Sequence, residues 1–256
     1  MQTMLEVDER HWWYRGRRVI LGAELERLAL PASARVLDAG CGSGRTLLDL
    51  ARLGEVSGVE LNEEAAAVAR ARGPFDVRIG RVEELPFPDA SFDLVTCLDV
   101  IEHTPDDVAA LRELRRVSRP GAPLLLTVPA YQALWSRHDV ANHHYRRYSR
   151  GTLAAAALAA GWRLERVTSF NSVLLAPAAV VRLLQRNKHP RGEHVSDLQL
   201  GQPWLNRALE QPLRAEARWL ARGRTLPAGL SLLAVVRNPG IGAAAPAPVG
   251  VAVAGG

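Results

Sequence analysis

Residues 36–44 read VLDAGCGSG. An aliphatic run leads into a carboxylate, and three glycines at alternating positions, Gly40, Gly42 and Gly44, stand directly before RTLLDLARLG, whose apolar residues recur at helical spacing until Gly54 stops it. Glycine lets the backbone approach a ligand closely at the crevice beyond a strand's carboxyl end. The next strand-like run, VSGVE, ends on Glu60, twenty residues after Gly40, where a carboxylate can hold ribose hydroxyls. A dinucleotide is disfavoured on two counts. Arg45 occupies the position where that fingerprint wants glycine or alanine, and Asp38 would repel a pyrophosphate while attracting a cation. The ligand that fits is nucleoside-like and cationic, without phosphates.

Outward from this loop, strand and helix patterns alternate. NEEAAAVARARG has Asn62 as N-cap and Gly73 as stop; FDVRIG, FDLVTCL and APLLLTVPA read as strands, with the helix PDDVAALRELRRVSRPG between the last two. RRVILGAELERLAL (17–30) is helical upstream of the loop. SRGTLAAAALAAGW, capped by Ser149 or Thr152, RLERVTSF and LSLLAVVRN continue the series downstream. Such alternation implies parallel strands with right-handed crossovers, hence an α/β doubly wound sheet. Residues 171–228 carry two helical patterns separated by the polar KHPRGEHVSD, and GIGAAAPAPVGVAVAGG is a small-residue tail expected to be disordered.

The motif series resembles the class I S-adenosylmethionine-dependent methyltransferases. VLDAGCGSG looks like their first motif, GVE their ribose-binding strand end, ELPFPDASFDLVTCLDVIEH their central motif, and RELRRVSRPGAPLLLTVP the helix and strand that follow, over roughly residues 32–170. The resemblance implies S-adenosyl-L-methionine as cofactor and a Rossmann-like, mostly parallel seven-stranded sheet with an antiparallel last strand and a helical insertion. It would place Asp38, Gly40, Gly42 and Gly44 around the methionine part, Glu60 at the ribose, Leu61 on the adenine with Val82 and Glu83 nearby, and Cys97 and Leu98 on the methyl side. Arg81 stands where these enzymes often have an acidic residue for the adenine amino group, so adenine contacts there are expected from backbone or from elsewhere.

Two clusters bear on the acceptor. Asp99, Glu102 and His103 in CLDVIEHTPDD have a spacing similar to the metal-binding one of ubiquinone O-methyltransferases; wall-forming residues are the preferred reading, with His103 a catalytic candidate and no metal assigned. The second is HDVANHHYRRYS (138–149). It lacks the ligand pairs of a metal site, and no base-methylation motif accompanies its arginines. Its start after the fifth strand places it at the carboxyl edge of the sheet, where Asp139 with His143 or His144 could serve as orienter and base, while Arg146, Arg147 and Tyr148 hold the acceptor. The bland alternative is a surface connection. HWWYRGRR (11–18) is expected to form a lid within residues 1–30, with Trp13 and Tyr14 facing substrate.

At 256 residues with 48% hydrophobic content, the chain supplies one large core: a methyltransferase domain over 31–238 and a tail over 239–256. The net charge of +5 is arginine-borne, Lys188 being the only lysine, and with so much alanine it reads as coding bias more than as a nucleic-acid footprint. Two cysteines beside apolar runs fit reduced thiols, and a cytoplasmic protein is expected. The expected partner is a small-molecule or lipid-linked substrate methylated at oxygen, not DNA. The Arg-flanked helices of 171–228 suggest peripheral contact with the inner face of a membrane, with packing on the domain or in a homodimer as the duller use of their apolar faces. An enzyme acting on RNA or protein, and a non-catalytic cofactor-binding regulator, are the alternatives.

Overall fold

A computed structural model describes residues 8–185 and 203–240. Seven strands form one sheet in the order β3-β2-β1-β4-β5-β7-β6. They are β1 (Ala34–Ala39), β2 (Gly54–Glu60), β3 (Asp76–Ile79), β4 (Leu94–Leu98), β5 (Pro123–Pro129), β6 (Arg163–Phe170) and β7 (Ser231–Arg237). The first five pair in parallel, whereas β7 lies antiparallel between β5 and β6. The doubly wound expectation holds, including the antiparallel last strand. β1, β4 and β5 bury nearly every residue, as strands covered on both faces must.

Helices α1 (Trp12–Leu25), α2 (Arg45–Leu50), α3 (Glu63–Ala71), α4 (Asp107–Val117), α5 (Arg137–Ala141), α6 (Arg150–Ala159), α7 (Leu175–Gln185) and α8 (Pro203–Ala221) flank the sheet. α4 and α6 cover one face, where Leu111, Leu114, Leu153 and the fully enclosed Trp162 pack, the indole N–H donating to the Leu111 carbonyl at 2.8 Å. α1, α2, α3 and α8 cover the other through Ile20, Leu47, Ala66 and Leu213. The caps follow the local chemistry: the side chains of Asn62 and Asp106 each accept an N–H at 2.9 Å three residues on, and Ser149 caps α6 with Thr152 reciprocating.

The N-terminal helix departs from its expected bounds. It starts at Trp12, because the extended backbone of His11 and its ring Nδ1, accepting from the Trp13 N–H at 3.3 Å, make His11 the cap. It is also no free flap, since Ile20, Leu21 and Leu25 are core residues and α1 lies along α8. At the crossing Gly16 is obligatory: a Cβ there would sit 2.7 Å from Leu213 Cβ. The polar KHPRGEHVSD and tail residues 241–256 lie outside the described residues.

Gly16→Ala is therefore expected to lower stability by about 1–3 kcal/mol, even though alanine gains roughly 1 kcal/mol in intrinsic helix propensity. Urea unfolding monitored by circular dichroism reads the sign. A midpoint at or above the parent's would mean that α1 rides loosely on α8.

Candidate active site

The carboxyl ends of β1, β2, β4 and β5 converge on one edge of the sheet, and the predicted cofactor residues lie there. Gly40, Gly42 and Gly44 all adopt positive φ, of 80°, 55° and 80°. Two of them are also sterically fixed, since a Cβ on Gly40 would meet Val100 at 2.4 Å and one on Gly44 would meet the Ala69 backbone at 2.7 Å. Gly42 instead faces open space, with nothing within 4 Å. Glu60 braces the loop: one carboxylate oxygen accepts the Gly42 N–H at 2.8 Å and the other accepts the Asn62 N–H at 2.9 Å. Leu61 beside it is exposed, Val82 is buried, and Glu83 is half-buried against Arg81 at 3.0 Å.

Asp38, the penultimate residue of β1, is almost wholly buried, its carboxylate accepting the Thr96 hydroxyl at 2.6 Å. Burial pushes its pKa up to about 6, against the opposing pull of the Thr96 hydrogen bond and of the Arg17 charge. Arg17 is the residue that sequence reasoning missed. From α1 its guanidinium reaches Asp99 at 2.8 Å and Thr127 Oγ1 at 3.3 Å, while its Nε is buried with no partner. The signal was present in HWWYRGRR, because Arg17 follows Trp13 by one helical turn and so shares its face. Trp13 itself stacks on Phe170 at the end of β6, ring centroids 5.7 Å apart. Tyr14 is half-buried, its hydroxyl pKa raised by burial. Asp8 and Ser43, hydrogen-bonded at 3.1 Å, tie the start of the described chain to the glycine loop.

The stretch 138–149 is brought to the same edge. Asp139 is fully buried, and its Oδ1 meets His144 Nδ1 at 2.9 Å and Arg147 Nε at 2.6 Å. Burial alone would raise its pKa; the His144 and Arg147 hydrogen bonds and the Arg147 charge instead hold it well below the usual range. Geometry decides between the two histidines, because His144 pairs with Asp139 while His143 is exposed at a positive φ. Asp139 also closes a capping box with Ser136 that starts α5, a helix unexpected from the sequence although Ser-x-x-Asp was its signature.

His144 faces His103 edge-on at 4.6 Å between ring centroids. A ring nitrogen of each and a Glu102 carboxylate oxygen lie within 4.8 Å of one another. Glu102 is 1% exposed, and neither of its carboxylate oxygens has a hydrogen-bond partner. Burial, reinforced by Asp99, raises its pKa far above the carboxylate range. Partial burial and then the His144 charge lower that of His103. The acidic and histidine groups that converge are thus Glu102, His103 and His144, whereas Asp99, which the spacing grouped with them, is held by Arg17.

Four expected roles need correction. Arg147 is buried against Asp139 and the Ala130 carbonyl, and Arg146 pairs with Asp107 at 3.1 Å, so each guanidinium is already engaged by a carboxylate of the protein. Tyr148 is a core residue whose hydroxyl donates to Asp107 at 2.7 Å. Cys97 is wholly enclosed among the residues under α4, away from the crevice; Leu98, one residue on, faces α1.

The comparisons agree with one another. A model described as "Methyltransferase domain" matches residues 37–126. A ubiquinone biosynthesis O-methyltransferase of Xanthomonas oryzae is 34% identical over 197 residues, covering 74% of this chain and 75% of its own. The protein of the same name from Hahella chejuensis is 41% identical over 109 residues, 40% of this chain and 45% of its own. An S-adenosylmethionine-dependent methyltransferase from Mesorhizobium loti superposes with a TM-score of 0.58 at 18% identity, over 86% of this chain and 97% of that one, which speaks for the fold alone.

Asp38 makes the apo protein pH-sensitive. Its folded pKa of about 6 lies above an unfolded value of roughly 3.9, so the folded state holds the extra proton between these limits. Stability is then lost as pH rises from about 4 through 6, by on the order of 2–3 kcal/mol. Asp38→Asn should flatten that slope in urea titrations across this window and leave apo protein more stable than the parent above neutrality. An unchanged slope would mean that the Asp38 carboxylate does not titrate in this range.

Proposed function

Because the chain belongs to the class I S-adenosylmethionine-dependent methyltransferases, with S-adenosylmethionine as its methyl donor, we propose that it methylates a hydroxyl of a small or lipid-linked acceptor, using His144 as base. The reading rests on one observation, the buried Asp139–His144 pair at the sheet edge. An anionic Asp139 holds the Nδ1 proton of His144, which leaves Nε2 as the acceptor of a hydroxyl proton. S-adenosylmethionine, when bound, would supply the electrophilic methyl group, and His144 would take the proton of the acceptor hydroxyl. Alignment supplies much of the remaining barrier reduction. In this reading Trp13, Tyr14 and His103 line the acceptor side.

On the cofactor side, Asp38 would attract the methionine ammonium, and Glu60 would exchange its loop N–H partners for ribose hydroxyls. Gly40, Gly42 and Gly44 would admit the ligand, with Leu61, Val82 and Glu83 around the adenine and Leu98 near the methyl group. The name of the Xanthomonas relative speaks of O-methylation, which supports oxygen as the acceptor atom.

The unpartnered oxygens of Glu102 favour a second reading. Glu102, His103 and His144 have the donor types to hold a divalent cation, which when bound would polarise the acceptor hydroxyl.

His144→Ala is expected to cut methyl transfer by about 10²–10⁴-fold with cofactor affinity unchanged by calorimetry, while His143→Ala stays close to the parent. Loss of transfer on chelation, restored by a divalent ion, would select the second reading. The acceptor class is read by supplying labelled methyl donor to a lysate: label in the lipid or small polar fraction supports the proposal, and label in protein or RNA overturns it.

A further inference from the structure

α8 carries two acids and turns both inward. Glu210 pairs with Arg15 at 2.9 Å and with Arg214 Nε at 2.7 Å, and Glu216 accepts the backbone N–H groups of Asn171 and Ser172 at 2.6 and 2.8 Å. Leu213, Ala217 and Leu220 are buried on the same side. The opposite stripe, at i, i+4, i+7, i+11, i+15 and i+18, is Trp204, Ala208, Gln211, Ala215, Trp219 and Arg222, flanked by Arg207 and Arg218, and all of them are exposed. Trp204 is 68% exposed and Leu205 beside it 38%. This face is cationic and apolar, and it holds no carboxylate.

Many arginines elsewhere in the chain are neutralised by a nearby carboxylate. Arg17, Arg45, Arg116, Arg147 and Arg237 each meet a carboxylate within about 3 Å. Among the described residues, Arg207, Arg218 and Arg222 form no ion pair. Three guanidinium groups without counter-charge, Arg207 and Arg218 between Trp204 and Trp219 and Arg222 just past the helix end, match the headgroup layer of an anionic bilayer, where phosphate attracts arginine and indole partitions at the boundary. The aliphatic Leu205 favours lipid over nucleic acid, which would ask for stacking rings in a basic groove. No helix among the described residues is long and apolar enough to cross a membrane, so contact through α8 would be peripheral.

We propose that the outward face of α8 docks the protein on an anionic membrane surface. α8 lies against α1, whose Arg17 reaches Asp99 in the candidate site, so docking sets the crevice one helix from the lipid. The inference stands apart from the identity of the acceptor.

The experiment is sedimentation of the full-length protein with vesicles of phosphatidylcholine alone or mixed with phosphatidylglycerol. Binding to the mixed vesicles, weakened by salt and absent from the neutral ones, is expected. The Arg207→Ala, Arg218→Ala, Arg222→Ala triple variant should lose on the order of a hundredfold in partition, and Trp204→Ala should weaken binding without changing its salt dependence. Cofactor affinity, measured in parallel, should be unchanged in both variants, which separates lost docking from lost folding. No binding to mixed vesicles, equal binding to both kinds, undiminished binding by the triple variant, or retention of RNA in place of vesicles overturns the proposal. Partition is read without turnover, so failure here is distinct from failure of the transfer reading.

Discussion

Three carboxylates are buried at one edge of the sheet, and the rest of the site is arranged around what each costs. A carboxylate out of water is stable only if paired, hydrogen-bonded or protonated. Asp139 takes the first route, with Arg147 and His144 on one oxygen and Ser136 on the other. Asp38 has a single hydroxyl partner, and burial pushes its pKa up to about 6. Glu102 has no hydrogen-bond partner, and burial with Asp99 nearby raises its pKa well above the usual carboxylate value. One edge thus holds one carboxyl group lowered in pKa and two raised, beside two histidines.

Parallel topology explains why they meet. The first five strands run parallel, with helices making every return except the one from β3 to β4, so β1, β2, β4 and β5 all present their carboxyl ends on the same side, where the backbone ladder stops. The glycine loop, the short Leu61–Asn62 link, the 99–103 turn and the 131–149 connection leave from that edge. The antiparallel β7 contributes to the core instead, inserting between β5 and β6 with Leu232, Ala234 and Val236 under the α4 and α6 layer.

What was legible in the sequence was what depends on local spacing. Strand–loop–helix order, the caps at Asn62 and Ser149, and the glycines at positive φ follow from neighbours within a few residues. The fold class came from their sum. Partner choice across the fold was not legible. Arg146, Arg147 and Tyr148 looked like a ligand-holding cluster because their density in sequence is high, yet Asp107 and Asp139 consume them, and nothing local marks which carboxylate lies opposite. Arg17 was missed for the converse reason: it stands among four arginines within residues 10–18, and only the docking of α1 on the sheet singles it out. Cys97 and Leu98 show the alternation of a strand at work, one step in sequence moving a side chain from one covered face to the other.

The arginine bias carries a last consequence. Guanidinium does not deprotonate in proteins, so the ion pairs of this chain keep their cations far into the alkaline range, where lysine pairs would fade. The same bias leaves the described residues without a primary amine on any side chain, Lys188 being the only lysine in the chain. Amine-reactive cross-linkers and dyes will therefore attach within the 171–228 insertion or at the amino terminus. No side chain that lines the crevice among the described residues carries an amine for such reagents to attack.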